Sequence, residues 1–257
     1  MTIQDGNGTA SNDESTIQTQ KHAHTLMNIE SCYSRFGGAF EKVVQLFDQH
    51  NSADPNQEND GTNLMPRELL YARRLTAWVF KLDSNPTEIV LLASRCQHIG
   101  RWAMPRNSYP MTKPGYLAWR TALKKYHADL AEKYLMSAGY EPSVIQKIRD
   151  LLLKTNLRQD PEMQIIEDAL CLVFLEFQLA ELSRRTDENK MVNALQKSWA
   201  KMSSAARKHA LALPFSEPNM ALVKKALSQD LPGARETDGM TAQNISSNHA
   251  IRSIKPH

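Results

Sequence analysis

The stretch Asp160-Pro161-Glu162-Met163-Gln164-Ile165-Ile166-Glu167-Asp168-Ala169-Leu170-Cys171-Leu172-Val173-Phe174-Leu175-Glu176-Phe177 decides the fold. Asp160 before Pro161 is a helix start, because proline tolerates the first turn, where its missing N–H is not needed. The pattern predicts a helix to about Arg185. Its middle is apolar almost all round, and a helix of that kind is enclosed by others. The longest unbroken apolar run, Ala169–Leu175, is far short of the about 20 residues that a membrane-spanning helix needs. The stretch therefore reads as the centre of a helical core.

Reading outward, the same period recurs. Pro142 opens a helix to about Lys154, and Gly139 caps a long one from Pro114 to Ala138. Met104 to Pro114 is a loop with three prolines, and a helix from Pro86 to Trp102 precedes it. Pro66 stands where a first helical residue would, before Arg67 to Leu82. A polar, turn-rich loop runs over residues 51–63. Ahead of it, Phe36, Phe40, Val43, Val44 and Phe47 mark a helix over Asn28 to Gln49, weakened by Gly37-Gly38. Asp187 to Lys208 and Pro218 to Ser228 complete the set. No segment alternates with period two. The expected fold is all-α: a single compact helical domain over residues 26–230, with disordered polar tails at 1–25 and 231–257.

Composition narrows the class. With 41% hydrophobic residues in a chain of 257, a sizeable core is available. Cys32, Cys96 and Cys171 are far apart and form no CxxC, which excludes a disulfide framework or a thiolate zinc site. No membrane or secretion signal is visible, so a cytoplasmic protein is expected. The net charge of +3 conceals an asymmetry. Residues 66–127 hold 11 Lys+Arg and 3 Asp+Glu, whereas residues 128–190 hold 8 and 12. The basic half is either a solvated surface or the wall of an anion-facing pocket.

The candidate chemistry lies in that half. On a helix end, Arg95, His98, Arg101 and Trp102 share one face. The loop adds Arg106 and Tyr109, and the next helix adds Trp119, Arg120 and His127. Guanidinium groups bind phosphate or carboxylate through paired hydrogen bonds, and imidazole ligates metals or moves protons. Asp168, between Ile165-Ile166 and the apolar run, is expected to be buried and so to face an arginine, a histidine or a metal. Glu176 should be half-buried. Cys96 and His98 are two residues apart and so do not meet on a helix, and Cys171 reads as a small core hydrophobe.

Several motifs carry a resemblance. They are Leu70-Tyr71-Ala72-Arg73-Arg74-Leu75-Thr76-Ala77-Trp78, the run Arg95 to Trp102, Pro105-Arg106-Asn107-Ser108-Tyr109-Pro110, Gly115-Tyr116-Leu117-Ala118-Trp119-Arg120, and Glu167 to Glu176. Over about residues 30–230 the chain resembles a family labelled domain of unknown function 4202, which implies no particular activity. A more distant likeness is to the HD-domain superfamily, helical bundles that use His and Asp to hold a metal for phosphate-ester hydrolysis. Ala93 to Arg101 resembles that superfamily's His-Asp helix, with Gln97-His98 at the doublet. His127 to Leu135 resembles a later histidine helix, and Ile165 to Asp168 the helix of the last metal-binding Asp. This resemblance implies a divalent metal on His98, His127 and Asp168, with Gln97 beside it. The pattern departs at the doublet, which is Gln-His, and at Arg73 or Arg74, where a first His would stand.

Two functions are expected from these residues. One is a metal-dependent hydrolase of a small phosphorylated compound, with His98, Asp168 and Gln97 at the reaction and Arg73, Arg74, Arg95, Arg101, Arg106, Tyr109 and Arg120 on the substrate. A two-iron, oxygen-using variant lacks the His and Asp it would require. The other is a non-catalytic module that binds an anionic metabolite, or RNA by stacking on Trp and Tyr.

Overall fold

The computed structural model describes residues 33–155 and 160–228. A 3-10 turn, Tyr33–Phe36, leads into α1 (Gly38–Asn51). Two three-residue strands, β1 (Gln57–Asn59) and β2 (Leu64–Pro66), pair antiparallel. The helices α2 (Arg67–Leu82), α3 (Glu88–Cys96), α4 (Lys113–Ala138) and α5 (Pro142–Leu153) follow. Then come α6 (Pro161–Val173), a π-helical turn Phe174–Gln178, α7 (Leu179–Arg184), α8 (Glu188–Lys201), α9 (Ser204–Leu211) and α10 (Glu217–Ser228). The fold is all-α, as the periodicity predicts. The tails expected at 1–25 and 231–257 lie outside the described residues. Among the described residues no helix is long and apolar enough to cross a membrane.

Helix α6 is central. Met163, Ile166, Ala169, Cys171, Leu172 and Val173 are buried, and α6 packs against α2, α3, α5, α8 and α9. Asp160 caps it, its side chain accepting a hydrogen bond from the Glu162 N–H at 2.9 Å. Gly139 ends α4 in the left-handed conformation (φ 88°), as expected of a glycine cap. The free Cys96 and Cys171 are both buried. Burial pushes the Cys96 thiol up, and it pushes that of Cys171 up to about 12, so neither is a nucleophile at neutral pH.

Several boundaries differ from the sequence reading; the first helix, expected from Asn28, begins at Gly38 after the 3-10 turn, and a π turn divides the one expected from Asp160 to Arg185. The polar loop contains β1 and leads into β2, and the strands of this hairpin are too short to show a period. Pro66 stands just before the first helical residue of α2. Helix α3 stops at Cys96, because Gly100 turns left-handed (φ 65°) and its space is taken. A Cβ there would lie 2.8 Å from His50 Nε2 and 3.0 Å from Tyr126 Oη. The expected helix Asp187–Lys208 is two helices. Met202 is extended, and Ser203 caps α9 through the Ala206 N–H.

Candidate functional site

The loop between α3 and α4 forms one wall of a cleft of about 820 Å³. Arg106 holds this loop in shape, donating to the carbonyls of Tyr109 (3.0 Å) and Pro110 (2.8 Å). Trp119 of α4 donates from its indole to the Met104 carbonyl at 2.9 Å. The Arg101 and Arg106 guanidiniums lie 5.2 and 5.9 Å from the Trp119 ring centre. The opposite wall is β1, the start of α2 and the π turn. Asp54 secures the start of α2, accepting the Glu68 N–H at 3.0 Å. Arg74 pairs with Glu58 and stacks on Phe177 at 4.1 Å.

Charge in the cleft is unequal. Arg67, Arg74, Arg101, Arg106, Lys113 and Arg185 line it, against Glu58, Glu68 and Glu181. Of the cations, Arg67, Arg106 and Lys113 form no ion pair among the described residues. Glu68 is nearly buried and lies 3.7 Å from both His98 Nδ1 and Arg101 Nε. Tyr71 stacks on the His98 ring, with centroids 4.3 Å apart.

Beneath Tyr71, His98 and Gln178 the cleft adjoins a small inner chamber of about 90 Å³, which shares those three residues. Two helix faces build it. Helix α4 contributes Arg120, Leu123, Lys124 and His127, and α6 with the π turn contributes Glu167, Leu170, Cys171 and Phe174. Both sets have the i, i+3, i+4, i+7 spacing of one helical face. Lys154 and Lys201 enter from the ends of α5 and α8, and Gln97 from the end of α3. The π turn adds one residue to a helical turn, and it brings Phe177 to the cleft and Gln178 to both spaces.

Among the described residues, the chamber's electrostatics follow from four cations around one carboxylate. Glu167 is hydrogen-bonded by Lys154 and lies 3.8 Å from Lys201. Burial alone would raise its carboxyl pKa, but the Lys154 and Lys201 ammoniums outweigh that and hold it below the usual value. Lys124 has no ion pair among the described residues. Burial, with Lys154 and Arg120 nearby, brings its pKa down to about 8, partly opposed by Glu167. Burial also lowers Lys201, against the pull of Glu167.

The sequence-predicted residues divide. Gln97, His98, Arg120 and His127 meet at the chamber, and Arg74, Arg101 and Arg106 at the cleft. Arg95 faces the other way and grips Asp48 of α1 through two hydrogen bonds of 2.7 and 2.5 Å. Tyr109 directs its hydroxyl at the Met104 sulfur, 3.8 Å away, and lines neither space, nor does Arg73. Glu176 accepts from the Trp78 indole at 2.7 Å.

The rings of His98 and His127 are 5.8 Å apart at their centroids. His127 Nδ1 is 2.7 Å from the Ile99 carbonyl, so that nitrogen carries the proton and a neutral ring keeps its lone pair on Nε2. Asp168 does not join them. It is buried, as expected, but its Oδ1 accepts from Gln164 Nε2 (2.9 Å) and from the Ser203 N–H (2.8 Å). Its partners are an amide and the cap of α9. Among the described residues no three His, Cys, Asp or Glu side chains come together as a metal site, so the set His98, His127 and Asp168 does not fit a three-ligand divalent ion.

The family model described as Domain of unknown function (DUF4202) matches residues 41–223. The chain belongs to this family. The matched span contains every residue that lines the cleft and the chamber. No curated protein and no solved structure matches the chain.

Sequence reasoning missed Arg67, Lys113, Lys124, Lys154, Glu167 and Lys201. One signal was present: Arg120, Lys124 and His127 repeat at four and three residues, a polar stripe along one helical face.

Proposed function

We propose that this member of the DUF4202 family binds a small anionic metabolite in the cleft between the α3–α4 loop and the start of α2. The observation that carries this is the cleft's excess of positive charge. Arg67, Arg106 and Lys113 line it without an ion pair among the described residues. Cations that share a cleft repel one another, and a bound anion relieves that repulsion. Tyr71, Trp102, Tyr116 and Trp119 line the same space and give it an apolar share for the ligand's organic part. A cleft of about 820 Å³ matches the 300–1,000 Å³ typical of small-molecule sites. The reading invokes no metal, because Asp168 is engaged elsewhere.

The test is a thermal-shift and calorimetric screen of phosphorylated and carboxylated metabolites against the full chain and an Arg67→Ala, Lys113→Ala double variant. At least one anion should raise the unfolding midpoint of the parent, and the double variant should bind it at least tenfold more weakly. A screen with no stabilising anion, or an affinity unchanged in the double variant, removes the proposal.

A further inference from the structure

We infer that the inner chamber beside the cleft is the seat of a phosphoryl group, so that the ligand is a phosphate monoester whose organic part extends past Tyr71 and His98 into the cleft. This rests on the cleft reading and adds the substrate class. Among the described residues, Arg120, Lys124, Lys154 and Lys201 converge on a space with a single carboxylate, Glu167. Four cations held with one anion form a poor structural cluster and a good site for a second, multiply charged anion. A ligand carboxyl group brings one negative charge to that excess, whereas a phosphate monoester near neutral pH brings close to two.

Size agrees. The chamber is about 90 Å³. A water needs about 10–15 Å³ by the same measure, so the space holds about six to nine waters, room enough for a phosphoryl group.

Lys154 supplies an independent sign. It is the one non-glycine with positive φ among the described residues (φ 63°, ψ 46°), at the C-terminal cap of α5. Glycine or asparagine would hold that conformation with less strain. The lysine instead places an ammonium at the chamber wall, against Glu167. Lys124 completes the case, since it lines the chamber without a carboxylate partner among the described residues. Burial first, and then the neighbouring Lys154 and Arg120, lower its pKa to about 8.

The test titrates inorganic phosphate, phenyl phosphate and acetate into the full chain, the Lys124→Met variant and the Lys124→Arg variant. Phosphate should bind, acetate should not, and phenyl phosphate should bind at least tenfold more tightly than phosphate. Lys124→Met should weaken both phosphates at least tenfold while its ligand-free unfolding midpoint stays level or rises, because a repelling charge has gone. Lys124→Arg should bind within a few-fold of the parent. Phosphate affinity unchanged in Lys124→Met, or a fall in that variant's midpoint, overturns the inference. Equal affinity for phosphate and phenyl phosphate overturns the monoester. Binding of a metabolite that depends on Arg67 and Lys113 but not on Lys124 keeps the cleft reading and overturns this one. Phosphate binding lost in Lys124→Met, with no ligand sensitive to Arg67 and Lys113, supports the chamber and removes the cleft.

Discussion

Lys154 and Glu167 form a nearly buried ion pair between the end of α5 and the middle of α6, and Lys154 holds it from a left-handed backbone conformation. Two terms oppose each other at this position. Left-handed backbone costs a non-glycine residue roughly 1–2 kcal/mol, and breaking a buried pair costs about 3–5 kcal/mol. Lys201, at 3.8 Å, still faces Glu167 when Lys154 is gone, which trims the second term. Lys154→Gly should therefore lose about 1–3 kcal/mol of stability, and Lys154→Met about 1 kcal/mol more, since it loses the pair and keeps the strain. Urea unfolding of both variants checks this. A Lys154→Gly protein more stable than the parent would show that the pair contributes little.

The chamber also sets a pH dependence with a defined sign. Lys124 has a folded pKa of about 8 against an ordinary 10.5, through burial and the neighbouring Lys154 and Arg120. Between these values the unfolded chain binds more protons than the folded one, so stability gains from this group as pH rises through that window. Below about 8 the charged lysine opposes folding in full. Lys201 acts in the same direction, also through burial. Lys147, raised by its bond to Glu162, works oppositely but only above its ordinary value, outside the window. The urea midpoint of the ligand-free protein, compared between pH 7.5 and 9.5, should rise more in the parent than in Lys124→Met. Parallel responses would mean that neither burial nor its cationic neighbours lower the pKa of Lys124.

Most of the fold could be read from the chain because its punctuation is local. Asp160-Pro161, Gly139 and Pro142 act within one turn of themselves, and the structure uses each where its chemistry places it. The break after Lys201 was hidden, because an extended Met202 is a tertiary choice in a sequence without glycine or proline there. The site was harder for a related reason. Helix α6 is apolar nearly all round, so its pattern has no phase, and it cannot tell whether Glu167 or Asp168 faces the chamber. Neighbours on a helix point about 100° apart. The answer depends on Lys154 and Lys201, which come from the ends of two other helices. Burial of Asp168 was legible; that its partners are Gln164 and Ser203 was not.

Those partners make the role of Asp168 testable. Its Oδ1 accepts two hydrogen bonds, and an asparagine oxygen can accept the same two. Asp168→Asn should thus stay within about 1 kcal/mol of the parent, whereas Asp168→Ala leaves the Ser203 N–H unmatched and should cost about 1–3 kcal/mol. Metal analysis of gently purified parent, His98→Ala and Asp168→Asn proteins separates this from a ligand role. Stoichiometric metal in the parent that is lost in both variants would restore Asp168 as a ligand.

Gly115, at the start of α4, links helix packing to the cleft wall. A Cβ there would lie 2.2 Å from the Pro110 carbonyl oxygen and 2.9 Å from its carbon. The obstacle is backbone, so the loop must shift, and that same oxygen accepts from Arg106 at 2.8 Å. Overpacking of this kind costs about 1–3 kcal/mol, so Gly115→Ala should destabilise by that amount and loosen Arg106. Gly38→Ala is the matched control. Nothing lies within 4 Å of its added methyl, and Gly38 opens α1. Replacing a helical glycine there should be neutral or stabilising by up to about 1 kcal/mol. Calorimetric unfolding ranks the two variants, and the anion found for the cleft should bind Gly115→Ala more weakly and Gly38→Ala unchanged. Equal binding by both would mean that Arg106 reaches the ligand without the Pro110 carbonyl to hold it.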